Sequence, residues 1–430
     1  MKRLIFFLLA SIFIFVQCTT AEADEGIRLN KSDEGWRLTI DGKPFMVNGV
    51  NWDYFPIGTN YEYSLWEESD AFIIKALDNE MSLLREMGIN AIRVYTGIQP
   101  RWIDYIYENY GIWTMLNHPF GRYGYGLEGE WISPTNYADS VARKILLAEV
   151  TQLAQEYKNT SGLLLYLLGN ENNYGLFWSG AETEDFPKGD TQREIQARHM
   201  YRLFNEGALA IKSVDPQTPV AFCNGDLLFL DIIVEECQDI DIFGLNVYRG
   251  KSFTYLFDKV AEEYGKPVLL TEFGSDAFNA ITMEEAQKEQ ALYNLFNWRE
   301  IYENAAGMGK AENSIGGFTF QFSDGWWKSG QTTDLDVHNT TASWENAGYE
   351  FDHISGQNNM NEEWFGICAK GSVDELGFYN LYPRAAFFAQ KKAHQFNPYE
   401  DQMTIESIQL HFDNINIEDC YRKAKMRTVD

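Results

Sequence analysis

The fold is decided by residues 163–171, which read LLLYLLGNE. Six apolar residues, then a glycine and two polar residues, are typical of a strand buried on both faces that ends at a turn. A second apolar run, PVLL at residues 267–270, comes just before Thr271 and Glu272. Two acids placed just beyond buried strands predict a parallel sheet that carries chemistry at its carboxyl edge.

Short apolar runs alternate with longer stretches of helical periodicity, a pattern typical of βα units. Helices are predicted where start signals occur: Ser69 before residues 71–87, Thr191 before residues 192–214, and a capping box of Thr282 and Glu285 before a helix ending near residue 304. Eight strands are predicted, near residues 45–51, 91–95, 112–117, 163–169, 220–224, 242–246, 268–271 and 317–322. The predicted fold class is therefore α/β, a (β/α)8 TIM barrel.

The barrel is expected to occupy residues 27–400, with a hairpin around Asp41-Gly42 leading into its first strand. Residues 329–380 are polar, rich in Asn, Thr, Gly and Trp, and without a clear period. They predict a long ordered loop over one barrel mouth, between the eighth strand and a closing helix. In the C-terminal tail, residues 401–430, the alternation over residues 405–412 predicts an outer strand.

The N-terminus has the features of an export signal. Lys2 and Arg3 precede an apolar run over residues 4–16, which is too short to span a bilayer. Cleavage is expected either before Cys18, which would then be lipidated, or after Ala23. The sequence thus predicts a signal peptide within residues 1–23 and an exported protein, either attached to a membrane through lipidated Cys18 or secreted.

The charge balance restricts the partners. With 63 acidic and 35 basic residues, the net charge of −28 repels phosphate backbones, so nucleic acid is excluded as a partner. A neutral oligo- or polysaccharide would tolerate this field. The 12 Trp, 24 Tyr and 29 Phe supply core residues and flat faces on which sugar rings can stack. The sequence gives no indication of the oligomeric state.

No metal or cofactor site is expected. Cys223, Cys237, Cys368 and Cys420 contain no Cys-x-x-Cys pair, and the six histidines contain no His-x-x-x-His pair. Disulfides are left open, although Cys223 lies in an apolar run that favours a buried free thiol. Asp334, Asp336 and Asn339 are interpreted as a solvated polar loop rather than a calcium site.

Polar and aromatic residues just beyond the predicted strands are the candidate site residues, because barrel active sites lie at the carboxyl ends of the strands. His118 is assigned to substrate binding, with a bond to the backbone as an equal alternative. Of Trp326 and Trp327, one is expected in the core and the other as the floor of a sugar subsite. The candidates are Asn51, Trp52, Arg93, Tyr95, Asn117, His118, Asn170, Glu171, Asn246, Tyr248, Glu272, Asp324, Trp326 and Trp327.

Glu171 and Glu272 are the catalytic candidates among these residues. A carboxylate that follows so apolar a run costs free energy unless it is paired or functional. Retaining glycosidases need one protonated and one ionised carboxyl group about 5 Å apart. The fourth and seventh strands face each other across a barrel mouth, so the two acids can form such a pair.

Three motifs carry a family resemblance. Residues 169–171 (GNE), 271–274 (TEFG) and 90–95 (NAIRVY) resemble the clan A glycoside hydrolases. Within that clan, residues 87–95 and 241–248 are similar to the β-1,3-glucanosyltransferases of family 72 and to the catalytic barrel of family 2. The resemblance covers about residues 44–327, and the sandwich domains that precede the barrel in family 2 have no counterpart.

The resemblance implies a role for each matching residue. Glu171 would be the acid/base and Glu272 the nucleophile. Asn170 would bind the sugar 2-hydroxyl, Arg93 would orient the nucleophile, and Tyr248 would donate a hydrogen bond to it. For Arg93, a buried structural ion pair is the alternative.

The predicted function is a retaining β-glycosidase that acts on a neutral β-glucan, with a β-1,3 linkage as the first choice and no cofactor. The alternatives are a β-glucanosyltransferase, a hydrolase of β-mannans or β-galactosides, and a glycan-binding lipoprotein without activity.

Overall fold

The computed structural model describes residues 26–176, 191–328 and 330–427. The predicted signal segment, including Cys18, lies outside the described residues. The strands are β1 Ile27–Ser32, β2 Gly35–Ile40, β3 Lys43–Pro44, β4 Val47–Asn51, β5 Ala91–Tyr95, β6 Trp113–His118, β7 Tyr125–Leu127, β8 Glu130–Ile132, β9 Leu163–Leu168, β10 Val220–Gly225, β11 Ile242–Asn246, β12 Val268–Phe273, β13 Phe278–Asn279, β14 Glu284–Glu285, β15 Ser314–Thr319, β16 Cys368–Val373 and β17 Tyr379–Pro383.

The helices lie between and after these strands. Two short 3-10 helices span Leu65–Glu67 and Glu362–Trp364. The α-helices are α1 Asp70–Met87, α2 Pro100–Tyr110, α3 Ser140–Tyr157, α4 Asn172–Gly175, α5 Thr191–Val214, α6 Leu230–Glu236, α7 Leu256–Glu263, α8 Gln287–Glu303, α9 Ala385–Ala393, α10 Ile405–Asp413 and α11 Ile417–Arg427.

Eight parallel strands close into a barrel in the order β10-β11-β12-β15-β4-β5-β6-β9. Helices connect successive strands on the outside, so the predicted TIM barrel is confirmed. All six residues of β9 are buried, because the barrel interior covers one face of the strand and helices cover the other. Seven strands match their predictions closely, whereas β15 begins and ends three residues before the predicted eighth strand.

The strand register brings candidate residues to the same level at the carboxyl ends. Asn51 pairs with Arg93 between β4 and β5, and Tyr95 pairs with Asn117 between β5 and β6. On the other side of the barrel, Asn246 of β11 pairs with Glu272 of β12 after a register shift.

The opposite end of the barrel is closed by the antiparallel sheet β1-β2-β3. Leu38 of β2 packs with residues of the barrel interior such as Val47, Leu165 and Leu269. The turn at Asp41-Gly42 is as predicted, but the returning strand is only Lys43–Pro44. Because one end of the barrel is sealed, a ligand can enter only from the carboxyl ends of the strands.

The described residues between β15 and α9 lie at this open end. They contain the hairpin β16–β17, which the prediction of a loop without strands missed. Among them, Trp344, Tyr349, Met360 and Phe365 form an apolar cluster against which Tyr248 packs. The segment therefore builds one wall of the mouth.

Two predictions of secondary structure are wrong. Glu284–Glu285 forms strand β14 rather than the first turn of a helix, and α8 begins only at Gln287, without a side-chain cap. Glu285 instead accepts a bond from buried Arg384 at 2.7 Å. Residues 405–412, predicted as an outer strand, form helix α10. Its buried residues Ile408 and Phe412 are four positions apart, the spacing of a helix.

The four cysteines in the described part of the chain are buried and free, as predicted for Cys223. In the same residues, no helix is both long and apolar enough to cross a membrane.

Candidate active site

Glu171 and Glu272 both lie at the open end of the barrel, in different surroundings. Glu272 is the fifth residue of β12, and 12% of its side chain is exposed. Glu171 lies three residues beyond β9, at the start of α4. Its backbone is left-handed, with φ of 54°, and its N–H donates to the carbonyl of Cys223 at 3.1 Å. A neighbouring strand thus holds Glu171 in a conformation that a residue other than glycine adopts only at a cost.

Glu272 is held by two donors. Nη1 of Arg93 lies 2.7 Å from its Oε1, and the hydroxyl of Tyr248 donates to Oε2 at 3.1 Å. Burial, and then the charge of Glu272, raise the pKa of Tyr248 well above its usual value, so the phenol stays protonated. A carboxylate with a cation on one oxygen and a hydroxyl on the other is fixed in orientation.

Glu171 has a single side-chain donor among the residues that the structure describes. Nδ2 of Asn246 donates to its Oε1 at 3.0 Å. Burial, and then the charge of Glu272, raise the pKa of Glu171 from 4.5 to about 7. Glu171 therefore holds its proton to a higher pH than an ordinary glutamate does, whereas Glu272 is paired with a cation. This is the division of roles that a general acid and a nucleophile need.

Arg93 is the centre of the polar network. Its guanidinium is 2% exposed and also donates to Oδ1 of Asn117 at 2.6 Å, Oδ1 of Asn170 at 2.9 Å and Oδ1 of Asn51 at 3.3 Å. The amide groups of Asn51 and Asn117 donate in turn to backbone carbonyls of the barrel. Arg93 thus connects Glu272 to Asn170, the residue just before Glu171.

Asn51 was predicted to bind substrate but is 8% exposed and supports Arg93 instead. Asn170 is half-buried, and its Nδ2 donates to the exposed hydroxyl of Tyr123 at 3.2 Å. Its amide therefore reaches the open side of the site. Asn246 is only 2% exposed and supports both Asn170 and Glu171.

The structure places two predicted substrate-binding side chains away from the carboxylates. The indole of Trp52 is 4% exposed and donates to Oε2 of Glu80, on helix α1, at 2.6 Å. The imidazole of His118 accepts from the N–H of Phe120 at 3.1 Å and lies 3.6 Å from Glu149 of α3. Burial lowers the pKa of His118 to about 4, so its ring is neutral. Both side chains connect strands to helices.

Trp326 and Trp327 are both half-buried, so neither is a fully buried core residue. Trp326 stacks on His338 with ring centroids 4.7 Å apart, and Trp327 packs against Phe55 and the exposed ring of Tyr61. Their part in a sugar subsite stays a prediction. Asp324, another candidate, is 1% exposed and forms a bidentate ion pair with Arg384 at 2.6 and 2.7 Å.

Four residues of the network were not expected from the sequence. Arg122 and Tyr123 reach Asn170 from the segment after β6, while Cys223 and Thr271 lie beneath Asn246. No candidate was assigned to the fifth strand, although Cys223 stands near its carboxyl end. Within the described ranges, no group of three or more His, Cys, Asp and Glu side chains could hold a metal ion.

Comparisons with known proteins agree with this geometry. The model for "Glycosyl hydrolases family 2, TIM barrel domain" matches residues 34–305. It supports the family 2 part of the resemblance and not the family 72 part. A β-galactosidase of Leuconostoc mesenteroides is 25% identical over 263 residues, which are 60% of this chain and 21% of that protein. The chain thus spans about a fifth of the length of this relative.

Solved structures show the same fold at low identity. A β-galacturonidase from Eisenbergiella tayi has a TM-score of 0.50 and 15% identity. The match covers 87% of this chain and 55% of that protein. A β-glucuronidase from Bacteroides uniformis has a TM-score of 0.55 and 13% identity. The match covers 86% of this chain and 37% of that protein. A β-D-glucuronidase from Dictyoglomus thermophilum has a TM-score of 0.52 and 14% identity. The match covers 88% of this chain and 55% of that protein.

Proposed function

The chain belongs to glycosyl hydrolases family 2 through its TIM barrel domain, and from this premise we propose that it is a retaining β-glycosidase. Glu272 is the nucleophile and Glu171 the acid/base. The observation that carries the proposal is the asymmetry of the two carboxyl groups. Arg93 and Tyr248 hold Glu272, whereas burial favours the protonated form of Glu171.

The reaction has two steps. In the first, Glu272 attacks the anomeric carbon while Glu171 gives its proton to the glycosidic oxygen, and the aglycone leaves. In the second, Glu171 takes a proton from water, whose oxygen attacks the anomeric carbon and releases Glu272. Asn170, whose Nδ2 faces the open side, binds the sugar 2-hydroxyl in both steps.

For the substrate we propose a neutral β-galactoside. The relative that matches the barrel is a β-galactosidase, and a net charge of −28 disfavours an anionic sugar. Nothing in the comparisons favours a β-1,3-glucan. A panel of aryl β-galactosides, β-glucuronides, β-glucosides and β-mannosides, with laminari-oligosaccharides added, ranks these sugars directly. Products longer than the substrate would indicate transglycosylation.

The roles of the carboxyl groups are tested with Glu171→Ala and Glu272→Ala, assayed on the best aryl β-glycoside of the panel with added azide. We expect both variants to lose most activity. Azide should restore Glu272→Ala with a glycosyl azide of inverted configuration, and Glu171→Ala with one of retained configuration. Glu149→Ala, an acid on α3 outside the site, is the control and should stay active. A wild type that binds glycans without turnover would refute the proposal in favour of a binding protein.

We also propose that the protein is exported, on the basis of Lys2, Arg3 and the apolar run that follows. Attachment through Cys18 predicts that Cys18→Ala moves the enzyme from the membrane fraction to the soluble fraction. If the wild type is already soluble, the lipid anchor is excluded.

A further inference from the structure

The amide of Asn246 is fixed from below by two buried donors. The hydroxyl of Thr271 lies 2.7 Å from its Oδ1, and the thiol of Cys223 lies 3.1 Å from the same atom. Thr271 is 0% exposed and Cys223 1% exposed. Burial raises the pKa of the Cys223 thiol to about 12, so the thiol keeps its proton and can donate it. An amide oxygen has two lone pairs and can accept from both groups, and the thiol also lies 3.3 Å from the hydroxyl oxygen of Thr271.

The other end of this amide points into the site. With its oxygen next to Thr271 and Cys223, Asn246 presents its Nδ2 to the mouth. Nδ2 donates to Oε1 of Glu171 at 3.0 Å and to Oδ1 of Asn170 at 3.2 Å. Oδ1 of Asn170 also accepts from Arg93, so Nδ2 of Asn170 faces outward. Arg93 therefore sets the direction of the Asn170 amide, while the Asn246 amide is held by Thr271 and Cys223 at its oxygen and by Asn170 and Glu171 at its nitrogen.

We propose that Thr271 and Cys223 are positioning residues, which fix the Asn246 amide so that an N–H, and not a carbonyl oxygen, faces the carboxyl group of Glu171. Any effect of these residues on the pH dependence of kcat/KM rests on the proposed function of Glu171 as acid/base. The direction of the hydrogen bond from Asn246 to Glu171 does not depend on that function. Neither residue touches substrate in this scheme. They act through Asn246.

The effect on Glu171 has a defined sign. The bond from Asn246 lowers the pKa of Glu171 and opposes the rise caused by burial and by Glu272. If the amide turns over, its oxygen faces Glu171 and favours the protonated carboxyl group. The other charged or titratable groups around Glu171 keep their chemical identity when Thr271 alone is substituted. They are Glu272, Arg93, Arg122, Tyr248 and Cys223.

The test substitutes the buried donors and follows Glu171 itself. In Thr271→Val, and more strongly in Thr271→Val with Cys223→Ala, we expect the pKa of Glu171 to rise by about one unit, the size expected for a lost bond to a charged group. Proteins labelled with 13C at the glutamate carboxyl are titrated by NMR, and Glu171→Gln identifies the resonance. The alkaline limb of kcat/KM should shift by the same amount.

Two controls separate this effect from a general disturbance of the barrel. Thr271→Ser keeps the hydroxyl and should titrate like the wild type. Thr114→Val makes the same change at a buried hydroxyl of β6 that has no hydrogen-bond partner in the structure, and should leave Glu171 unchanged. An unshifted Glu171 in folded Thr271→Val overturns the proposal, as does an equal shift in Thr114→Val. If the wild type hydrolyses no glycoside, the carboxyl titration still decides the proposal.

Discussion

Arg93 and Glu272 form an ion pair in which Nη1 of the arginine lies 2.7 Å from Oε1 of the glutamate. Nη2 of the same guanidinium bonds to Asn170, which directly precedes Glu171 in the chain. One buried cation thus sets the position of Glu272, the proposed nucleophile, relative to the segment that carries Glu171, the proposed acid/base. Such positioning accounts for a large part of catalysis when the groups are held in a reactive geometry.

Arg93→Lys keeps the positive charge but loses the planar fork that bonds to Glu272, Asn170 and Asn117 together. We expect kcat/KM for an aryl glycoside to fall about 100-fold or more, since small displacements of reacting groups cost this much. Arg101→Lys is the matched control, because Arg101 forms a bidentate pair with Asp70 on the surface. Steady-state kinetics measures both. A decrease below about fivefold in folded Arg93→Lys would show that charge alone is sufficient.

The pH dependence of activity should reflect Glu171. As the proposed general acid, Glu171 must be protonated, and its pKa is raised to about 7, first by burial and then by Glu272. Activity on a substrate with a poor leaving group should therefore decline above about pH 7. For a dinitrophenyl glycoside, whose departure needs no proton, the alkaline limb of the glycosylation step should disappear. An alkaline limb that is the same for both substrates would assign it to another group.

The raised pKa of Glu171 also affects stability, with a sign that can be checked. Between pH 4.5 and about 7 the folded protein holds a proton that the unfolded chain has released, so this group's contribution to stability decreases as pH rises through that range. Glu171→Gln should be more stable than the wild type at pH 8, by on the order of 1–2 kcal/mol, and similar at pH 4. Urea unfolding at the two pH values measures this. A wild type that is the more stable protein at pH 8 would contradict it.

Gly169 makes the turn from β9 to Glu171 possible. Its φ is +76°, and an added Cβ would lie 2.5 Å from Oδ1 of Asn172 and 2.7 Å from the ring of Phe204. Gly169→Ala should destabilise the fold by about 2–4 kcal/mol and lower kcat, because Glu171 is displaced. At Gly265, φ is +68° but the space is open, so Gly265→Ala isolates the backbone strain. Equal unfolding midpoints and activities for the two variants would contradict the steric argument.

The sequence was sufficient to predict the barrel and the level of the site within it. Eight buried runs define eight strands, and polar residues at their ends must converge when the sheet closes. The alternation of side chains along a strand explains where Trp52 and His118 lie. Asn51 and Asn117 point into the barrel. Trp52 and His118, which directly follow them, therefore point outward, toward a helix. For His118 this direction agrees with the expected alternative of a bond to the backbone.

Other features depend on contacts between distant residues. Cys223 and Thr271 act through Asn246, and the local sequence of each is only that of a buried strand. Asp324 follows the eighth strand as a site residue would, but its partner Arg384 is 60 residues further along. Only the three-dimensional structure shows that this acid is structural.

The pair of Asp324 and Arg384 fastens the segment after β15 to helix α9. Both side chains are nearly inaccessible, and Arg384 also bonds to Glu285 and to the carbonyl of Gly366. Arg384→Met would leave the carboxylate of Asp324 buried without its cation. We expect a loss of about 3–5 kcal/mol in the free energy of unfolding, as for other broken buried pairs.

The matched control is Lys391→Met, which removes an exposed ion pair with Glu86 at the other end of α9. It should change stability by less than about 1 kcal/mol. Asp324→Asn combined with Arg384→Met removes both charges and should recover part of the loss, because the uncompensated carboxylate is then absent. Urea unfolding of the four proteins, wild type included, measures these differences. If Arg384→Met is no less stable than Lys391→Met, the ion pair does not hold the wall of the active-site mouth in place.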